Sequence, residues 1–453
     1  MNVRTSNVVL FFTTAIISLV VSSCAVERID ESSVIDQNLE GRIVEVAGSL
    51  KAFQVPKETD LDKIPQDPKN PLNPYKVKLG KMLFYETALG MDAFKEKGKR
   101  TYSCATCHLP ELGFRPGTPQ GIADGGIGYG EQRHLDPDYK PSEADVQGAR
   151  PLALIGAAYT TNTLWNGRFG AGGVNEGTEH LWAKKGVEHV NKLGYQGLEA
   201  QNIEGLRLHR MVINKEHLQN ISVLGNYVEL FDKAFPEFPE SVRYTPQTAS
   251  LALSAFLRTI MPYYAPFQRW LRGEKDAMTL SQKKGAMLFF SKARCYLCHK
   301  SPVFNSMEFH AIGVKDMWEN PLSVATGPND VDRNLGRGWF TERDEDMYKF
   351  KVPQLYNLKY GHYFFHGASK KTIREVLEYK NKALSENPNV PPERLSPLFI
   401  PLHLSDEELD YLQDFIENAL YDPYMMRFRP MTVYSGACFP NGDSLSREEL
   451  GCN

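Results

Sequence analysis

Cys104-Ala-Thr-Cys107-His108 and Cys295-Tyr-Leu-Cys298-His299 set the same pattern, C-x-x-C-H, at two places in a chain of 453 residues. Two thiols three positions apart can bond to the two vinyl groups of one haem, and the adjacent imidazole then falls under the iron as an axial ligand. With 7 Cys and 11 His in 453 residues, composition alone yields about 0.003 such strings per chain, so two copies are not accidental. Tetrahedral zinc needs four ligands, and the six donors here overfill it. A thioredoxin-like redox pair explains neither the following His nor the duplication. The strings therefore predict two covalently bound haem c groups, attached through Cys104, Cys107, Cys295 and Cys298, with His108 and His299 as proximal iron ligands.

The N-terminus bears on where such chemistry would occur. Arg4 precedes an apolar run from Val8 to Val21, which ends in Val21-Ser22-Ser23-Cys24. The run is too short for a stable span and has the charged start, apolar centre and small-residue exit of a secretory signal. A Cys directly after two small residues resembles the lipobox of bacterial lipoproteins. On that reading residues 1–23 are removed and Cys24 becomes a lipidated first residue, anchored rather than spanning. An ordinary cleaved signal with an incidental Cys is the alternative. Ala25, with no Asp there, resembles lipoproteins sent to the outer membrane, which places the protein in the periplasm. Cys438 and Cys452 remain in a polar tail, 431–453. They can close a disulfide loop worth about 3 kcal/mol, in keeping with an oxidising compartment.

A net charge of −3 and the lack of any Lys/Arg-rich block give no nucleic-acid signature. Partners are expected to be small oxidants and electron donors. The roughly 430 residues left after signal removal are enough for two domains with their own cores.

Those domains must position the strings. Residues 24–70, polar and carrying Pro56, Pro65 and Pro68, read as a tether over the surface. A helical pattern over Lys76 to Thr87, with Leu79, Met82, Leu83 and Phe84 on one face, leads into the first string. The glycine-rich stretch 117–130 has no helical period and is expected as a loop lining the open face of the iron. Thr245-Pro246 opens a helix whose Leu253, Phe256, Leu257 and Ile260 keep helical spacing. Thr279 with Gln282 forms a capping box for the helix before the second string, and Thr372 with Glu375 and Ser405 with Glu408 open two more in the same way. Leu79-Gly-Lys-Met-Leu-Phe84 and Gly285-Ala-Met-Leu-Phe289 form a faint repeat, one before each string. The expected fold is mainly α, with two tandem cytochrome c-like haem domains and long loops: 71–245 for the first haem and 246–430 for the second.

With these strings and motifs the chain resembles the bacterial di-haem cytochrome c peroxidase family, which includes the MauG-type protein-oxidising enzymes. The resemblance runs from about residue 71 to 420. Beside the haem strings it rests on Leu79-Gly-Lys-Met-Leu-Phe, Trp165-Asn-Gly-Arg168, Phe256-Leu-Arg-Thr259, Phe350-Lys-Val-Pro-Gln-Leu355 with Asn357, and Phe365-His366-Gly367. It implies a peroxidatic N-terminal haem, a C-terminal haem through which electrons enter, and Trp165 relaying electrons between them. The implied reaction is reduction of hydrogen peroxide to water with electrons from a small periplasmic donor such as a cytochrome c or a cupredoxin. A MauG-type oxidase acting on a partner protein and a pure di-haem electron-transfer cytochrome are the alternatives.

Three departures from the family pattern stand out. Gln201 matches the family's Gln after the tryptophan motif, but the place of its distal Glu reads Leu208-His209-Arg210-Met211, which makes His209 the candidate proton shuttle. The family's far ligand to the second haem, a Met or Tyr fourteen residues after the His of the F-H motif, falls on Lys380, with Tyr379 beside it. A lysine amine can bind ferric iron if desolvation depresses its pKa, and Tyr379 would offer a phenolate. Thirdly, Arg150 stands where some relatives hold an inter-haem calcium through an Asn. That argues against a fixed calcium, with backbone carbonyls near Gly361 left as donors. His134 is the fallback sixth ligand of the first haem, and His310 is expected near the edge of the second.

Overall fold

The computed structural model describes Met1 and residues 31–452. The signal segment 1–23 and Cys24 lie outside the described residues. The described chain is mainly helical, and its strands are two antiparallel pairs, Gly126–Ile127 with His134–Leu135 and Phe309–His310 with Phe350–Lys351. No described helix is long and apolar enough to cross a membrane.

Seven helices carry the argument: α1 (Glu31–Ala47), α2 (Pro74–Tyr85), α3 (Gly197–Leu208), α4 (Pro246–Arg258), α5 (Leu280–Phe289), α6 (Ile373–Lys382) and α7 (Asp406–Asp414). Local sequence sets where most of them begin. The Asn73 side chain accepts from the Lys76 amide with Pro74 at the first position, so α2 starts two residues before the apolar pattern does. The capping boxes at Thr279, Thr372 and Ser405 open α5, α6 and α7.

The repeat has a structural counterpart. α2 packs on α4, and α5 packs on α7. At each crossing a glycine of the repeat lets two backbones approach. A Cβ on Gly80 would stand 1.9 Å from the Ala252 carbonyl oxygen and 2.9 Å from Phe256 Cβ, and one on Gly285 would stand 1.9 Å from the Tyr411 carbonyl oxygen and 2.8 Å from Phe415 Cβ. Phe84 lies against Phe256, with ring centroids 5.4 Å apart, and Phe289 against Phe415 at 5.6 Å. Each of these buried rings contributes roughly 1.5–3 kcal/mol by leaving water.

Three expectations about organisation are corrected. α4, assigned by sequence to the second domain, packs on α2 and α3 of the first, so the 245/246 boundary cuts one helix too early. Thr-Pro marks the start of a helix, and a helix start is not a domain start. Residues 31–70 are no tether: α1 packs on α5, where Asp36 accepts from the Trp270 indole at 2.6 Å and pairs with Lys283 at 2.8 Å. Phe53 enters an aromatic cluster with Phe267, Phe290 and Phe304. The polar, Pro-rich average of this segment hides Leu39, Ile43, Phe53, Val55 and Ile64, all buried. Nor is the tail a free end. Cys438 and Cys452 are disulfide-bonded, and Ser103 and Thr106 of the first haem segment donate to the Pro440 carbonyl at 2.8 and 3.1 Å.

Candidate haem and proton-transfer site

Each haem string forms a single tight turn, Cys104–Thr106 and Cys295–Leu297. No disulfide joins Cys104, Cys107, Cys295 or Cys298 to another cysteine, which leaves all four for attachment to haem. Burial pushes Cys104, Cys107 and Cys295 up to about 12, which disfavours a thiolate metal cage. Among the described residues no group of three His, Cys, Asp or Glu is placed to hold a metal ion by itself.

The histidines are set as iron ligands. A carbonyl can only accept, so the 3.0 Å bond from His108 to the Phe114 carbonyl fixes the proton on Nδ1 and leaves the Nε2 lone pair free. His299 is fixed in the same way by the carbonyls of Phe304 at 2.8 Å and Pro353 at 3.2 Å. Burial lowers both to about 4, which keeps the imidazoles neutral and ready to bind iron. These residues fit a covalently attached haem at each string.

On the first side, Gly121 of the glycine-rich stretch packs against Cys107, where a Cβ would come within 2.7 Å of Sγ. The neighbouring segment brings Asp145, whose Oδ2 lies 2.6 Å from His209 Nδ1. About a third of the His209 side chain, 33%, is accessible. It is close enough to add to the lowering of His108. Burial pulls the His209 pKa down, but the charge and hydrogen bond of Asp145 more than reverse this, and the net shift is upward. Gln201 is half-buried on α3. It lies eight residues before His209, about 12 Å along a helix axis, and has no hydrogen-bond partner among the described residues.

α3 is locked from behind. Glu199 takes the Arg258 guanidinium of α4 at 2.7 Å and 3.1 Å, and Asn70 at 3.2 Å, with both charged side chains fully buried.

On the second side, Lys380 is enclosed, and burial lowers it to about 8 although the nearby Cys298 and Cys295 act in the opposite sense. Its charge in turn acts on His299. Its Nζ lies 5.4 Å from the centroid of the Phe399 ring, and it has no carboxylate or hydrogen-bond acceptor among the described residues. Tyr379 points elsewhere: its hydroxyl donates to the Ile312 carbonyl, and its ring packs on Phe399 and Phe365.

Trp165 lies between the two sides. Its indole donates to the Arg150 carbonyl at 2.7 Å, its carbonyl accepts from the Lys351 amide at 2.8 Å, and its ring meets His366 edge to face at 6.3 Å.

Residues 74–276 match the family described as di-haem cytochrome c peroxidase. The methylamine utilization protein MauG of Methylorubrum extorquens is 26% identical over 365 residues, 80% of this chain and 83% of that protein. A cytochrome-c peroxidase of Denitromonas iodatirespirans is 26% identical over 379 residues, 79% and 84% of the two chains. A solved MauG-like protein associated with microbial copper homeostasis shares the fold at a TM-score of 0.54 and 22% identity, over 83% of this chain and 96% of that one.

This chain carries a di-haem cytochrome c peroxidase family match over residues 74–276 and has MauG and cytochrome c peroxidase relatives along most of its length. It is a cytochrome-c-peroxidase-type oxidoreductase. The Arg150 guanidinium donates to the carbonyls of Pro116, Thr118, Pro119 and His362 at 2.6–3.3 Å. At Gly361 a Cβ would strike Arg115, 1.8 Å from Nη2. Two arginine side chains thus fill the ground expected for a calcium ion, and those carbonyls do not fit one.

His134 is exposed, and its Nδ1 is bonded to the Gln132 carbonyl. His310 lies 3.6 Å from Cys298 Sγ and 2.9 Å from Ser396 Oγ, beside the second string. Asp145 was missed in the sequence because it lies in no motif and meets His209 across 64 residues.

Proposed function

We propose that this protein reduces hydrogen peroxide to water with electrons from a small periplasmic donor, a cytochrome c or a cupredoxin. Two tandem haem domains would divide the work. The bound haem supplies an iron that can cleave the peroxide O–O bond and accept electrons one at a time.

The chain's own residues do the rest. His209, with Nδ1 engaged by Asp145, presents Nε2 to take the proton from the inner peroxide oxygen and return it to the outer one. Gln201 orients by hydrogen bonds. Lys380, whose pKa burial lowers to about 8, would serve as a nitrogen ligand to the second haem once its amine gives up its proton, which would suit that haem to electron entry rather than oxygen chemistry. Trp165 carries electrons between the two.

What supports this reading is the contrast around the two strings: an Asp145–His209 pair acts near His108, and an unpaired, desolvated Lys380 acts near His299. Location in the periplasm, with lipid attachment at Cys24 to the outer membrane, belongs to the same proposal.

The test is turnover of peroxide by the holoprotein with a reduced cytochrome c or cupredoxin. Oxidation of donor in step with peroxide supports the peroxidase reading. Oxidised residues on a partner protein with no donor turnover would point to the MauG-type alternative. Replacing Cys24 by Ser should move the protein from the membrane to the soluble fraction, and unchanged partitioning would reject the anchor.

A further inference from the structure

Four cations lie buried around Trp165, and no carboxylate is paired with any of them. Arg150 directs Nη1 to the carbonyls of Thr118 and Pro119 and Nη2 to those of Pro116 and His362. Arg115 turns Nε to the Leu112 carbonyl and Nη2 to those of Asn357 and Leu358, each at 3.3 Å. Arg337 places Nη1 on the Asn166 carbonyl at 3.0 Å and the Asn175 side-chain oxygen at 2.8 Å, and Nη2 on the Val174 carbonyl. Lys351 places Nζ on the Asn162 carbonyl at 2.9 Å. None is more than 5% exposed.

Apart from Lys380, the other buried cations among the described residues have a carboxylate partner. Arg258 has Glu199 at 2.7 Å, Arg133 has Asp443 at 3.3 Å and Lys283 has Asp36 at 2.8 Å. The nearest carboxylate to act on Arg337, that of Asp346, is bonded to Thr341 and paired with Lys349. Arg115 and Arg150 also repel one another. A buried, unpaired charge costs far more than bonds to neutral carbonyls return, so the belt lacks its counter-charge.

Its position indicates what that charge is. Arg115 follows Phe114, whose carbonyl fixes His108. Lys351 stands two residues before Pro353, whose carbonyl fixes His299. Arg150 and Arg337 meet the segment between, at Trp165 and Asn166. Among the described residues each cation also keeps a donor without an acceptor: Nε of Arg150 and Arg337, Nη1 of Arg115, and Nζ hydrogens of Lys351.

We propose that Arg115, Arg150, Arg337 and Lys351 form the binding site for the haem propionates, whose carboxylates supply the negative charge that the chain withholds around Trp165. The belt holds those carboxylates ionised and, by its positive field, favours the ferrous over the ferric iron. This rests on haem attachment alone and not on the peroxidase reading, and neither test below needs peroxide turnover.

The first test is a spectroelectrochemical titration of the holoprotein and of Arg150→Gln, Arg337→Gln and Lys351→Met. Each variant should lower the reduction potential of at least one haem by about tenfold in the ferric–ferrous equilibrium, ~59 mV for one electron. Arg269→Gln, an exposed arginine paired with Glu274, should leave both potentials in place. Neutral variants that keep both haems and titrate like the parent would overturn the proposal. The second test needs no variant. In an infrared pH titration of the unmodified holoprotein the propionates should stay ionised well below the ordinary carboxylate range of about 4.3. Propionate protonation at or above that range would overturn the proposal as well.

Discussion

Asp145 Oδ2 lies 2.6 Å from His209 Nδ1, close enough to His108 for the His209 charge to act on it. The bond fixes which ring nitrogen is left free and holds the imidazole against rotation. Asp145 is the nearest carboxylate to His209, but Arg210 acts on it in the opposite sense. Arg210 is itself paired with Asp124.

The sign of the His209 shift gives the first prediction. A general base must be neutral, and the His209 pKa is raised above its ordinary value, so the peroxide reaction should fall as pH drops through a point above about 6.5. Asp145→Asn removes the group that raises it and leaves desolvation in control. The acid limb of the rate profile should then move to lower pH. His209→Ala should slow the reaction by about 10²–10⁴ with the haem spectrum nearly unchanged. A parent-like rate and profile in both variants would remove the pair from the mechanism.

Lys380 and Tyr379 are adjacent in sequence, but their polar groups go to different places. Lys380→Ala should open the sixth position of the second haem and convert its ferric electron paramagnetic resonance signal towards high spin. Lys380→Met should leave it six-coordinate with a changed signal. Tyr379→Phe should alter neither signal, and a spectrum that responds to Tyr379 but not to Lys380 would exchange their roles.

Trp165→Phe keeps the apolar bulk beside His366 and removes both the easily oxidised indole and its bond to the Arg150 carbonyl. Both haems should remain attached, while electron exchange between them, followed by flash photolysis of the half-reduced protein, should slow. An unchanged exchange rate would make Trp165 a packing residue only.

The Glu199–Arg258 pair positions α3, which carries Gln201 and ends at His209. Glu199→Ala leaves a buried guanidinium without its carboxylate and should lower unfolding stability by about 3–5 kcal/mol, measured by urea titration of the holoprotein. A loss below about 1 kcal/mol, the range of exposed pairs, would contradict this role.

What the sequence disclosed divides by range. Capping boxes at Thr279, Thr372 and Ser405 are local hydrogen-bond patterns of four residues, and they fixed three helix starts. The haem strings are equally local. The domain boundary was not, because Pro246 signals a helix start whichever domain owns the helix, and only the contact at Gly80 assigns α4 to α2. Residues 31–70 looked like a tether because their few apolar residues are diluted by polar ones, and their burial depends on partners some two hundred residues away, such as Gln268 for Val55. Asp145 and the belt around Trp165 stayed hidden for the same reason: each is assembled from segments that meet only in the fold.

The most direct test of the central claim is the electron paramagnetic resonance spectrum of the ferric holoprotein, recorded before and after hydrogen peroxide. Two distinct haems are expected, with the one bound by His108 changed by peroxide and by cyanide and the one bound by His299 low-spin throughout until Lys380 is replaced. Two low-spin haems that ignore both peroxide and cyanide would contradict the claim and leave an electron-transfer cytochrome.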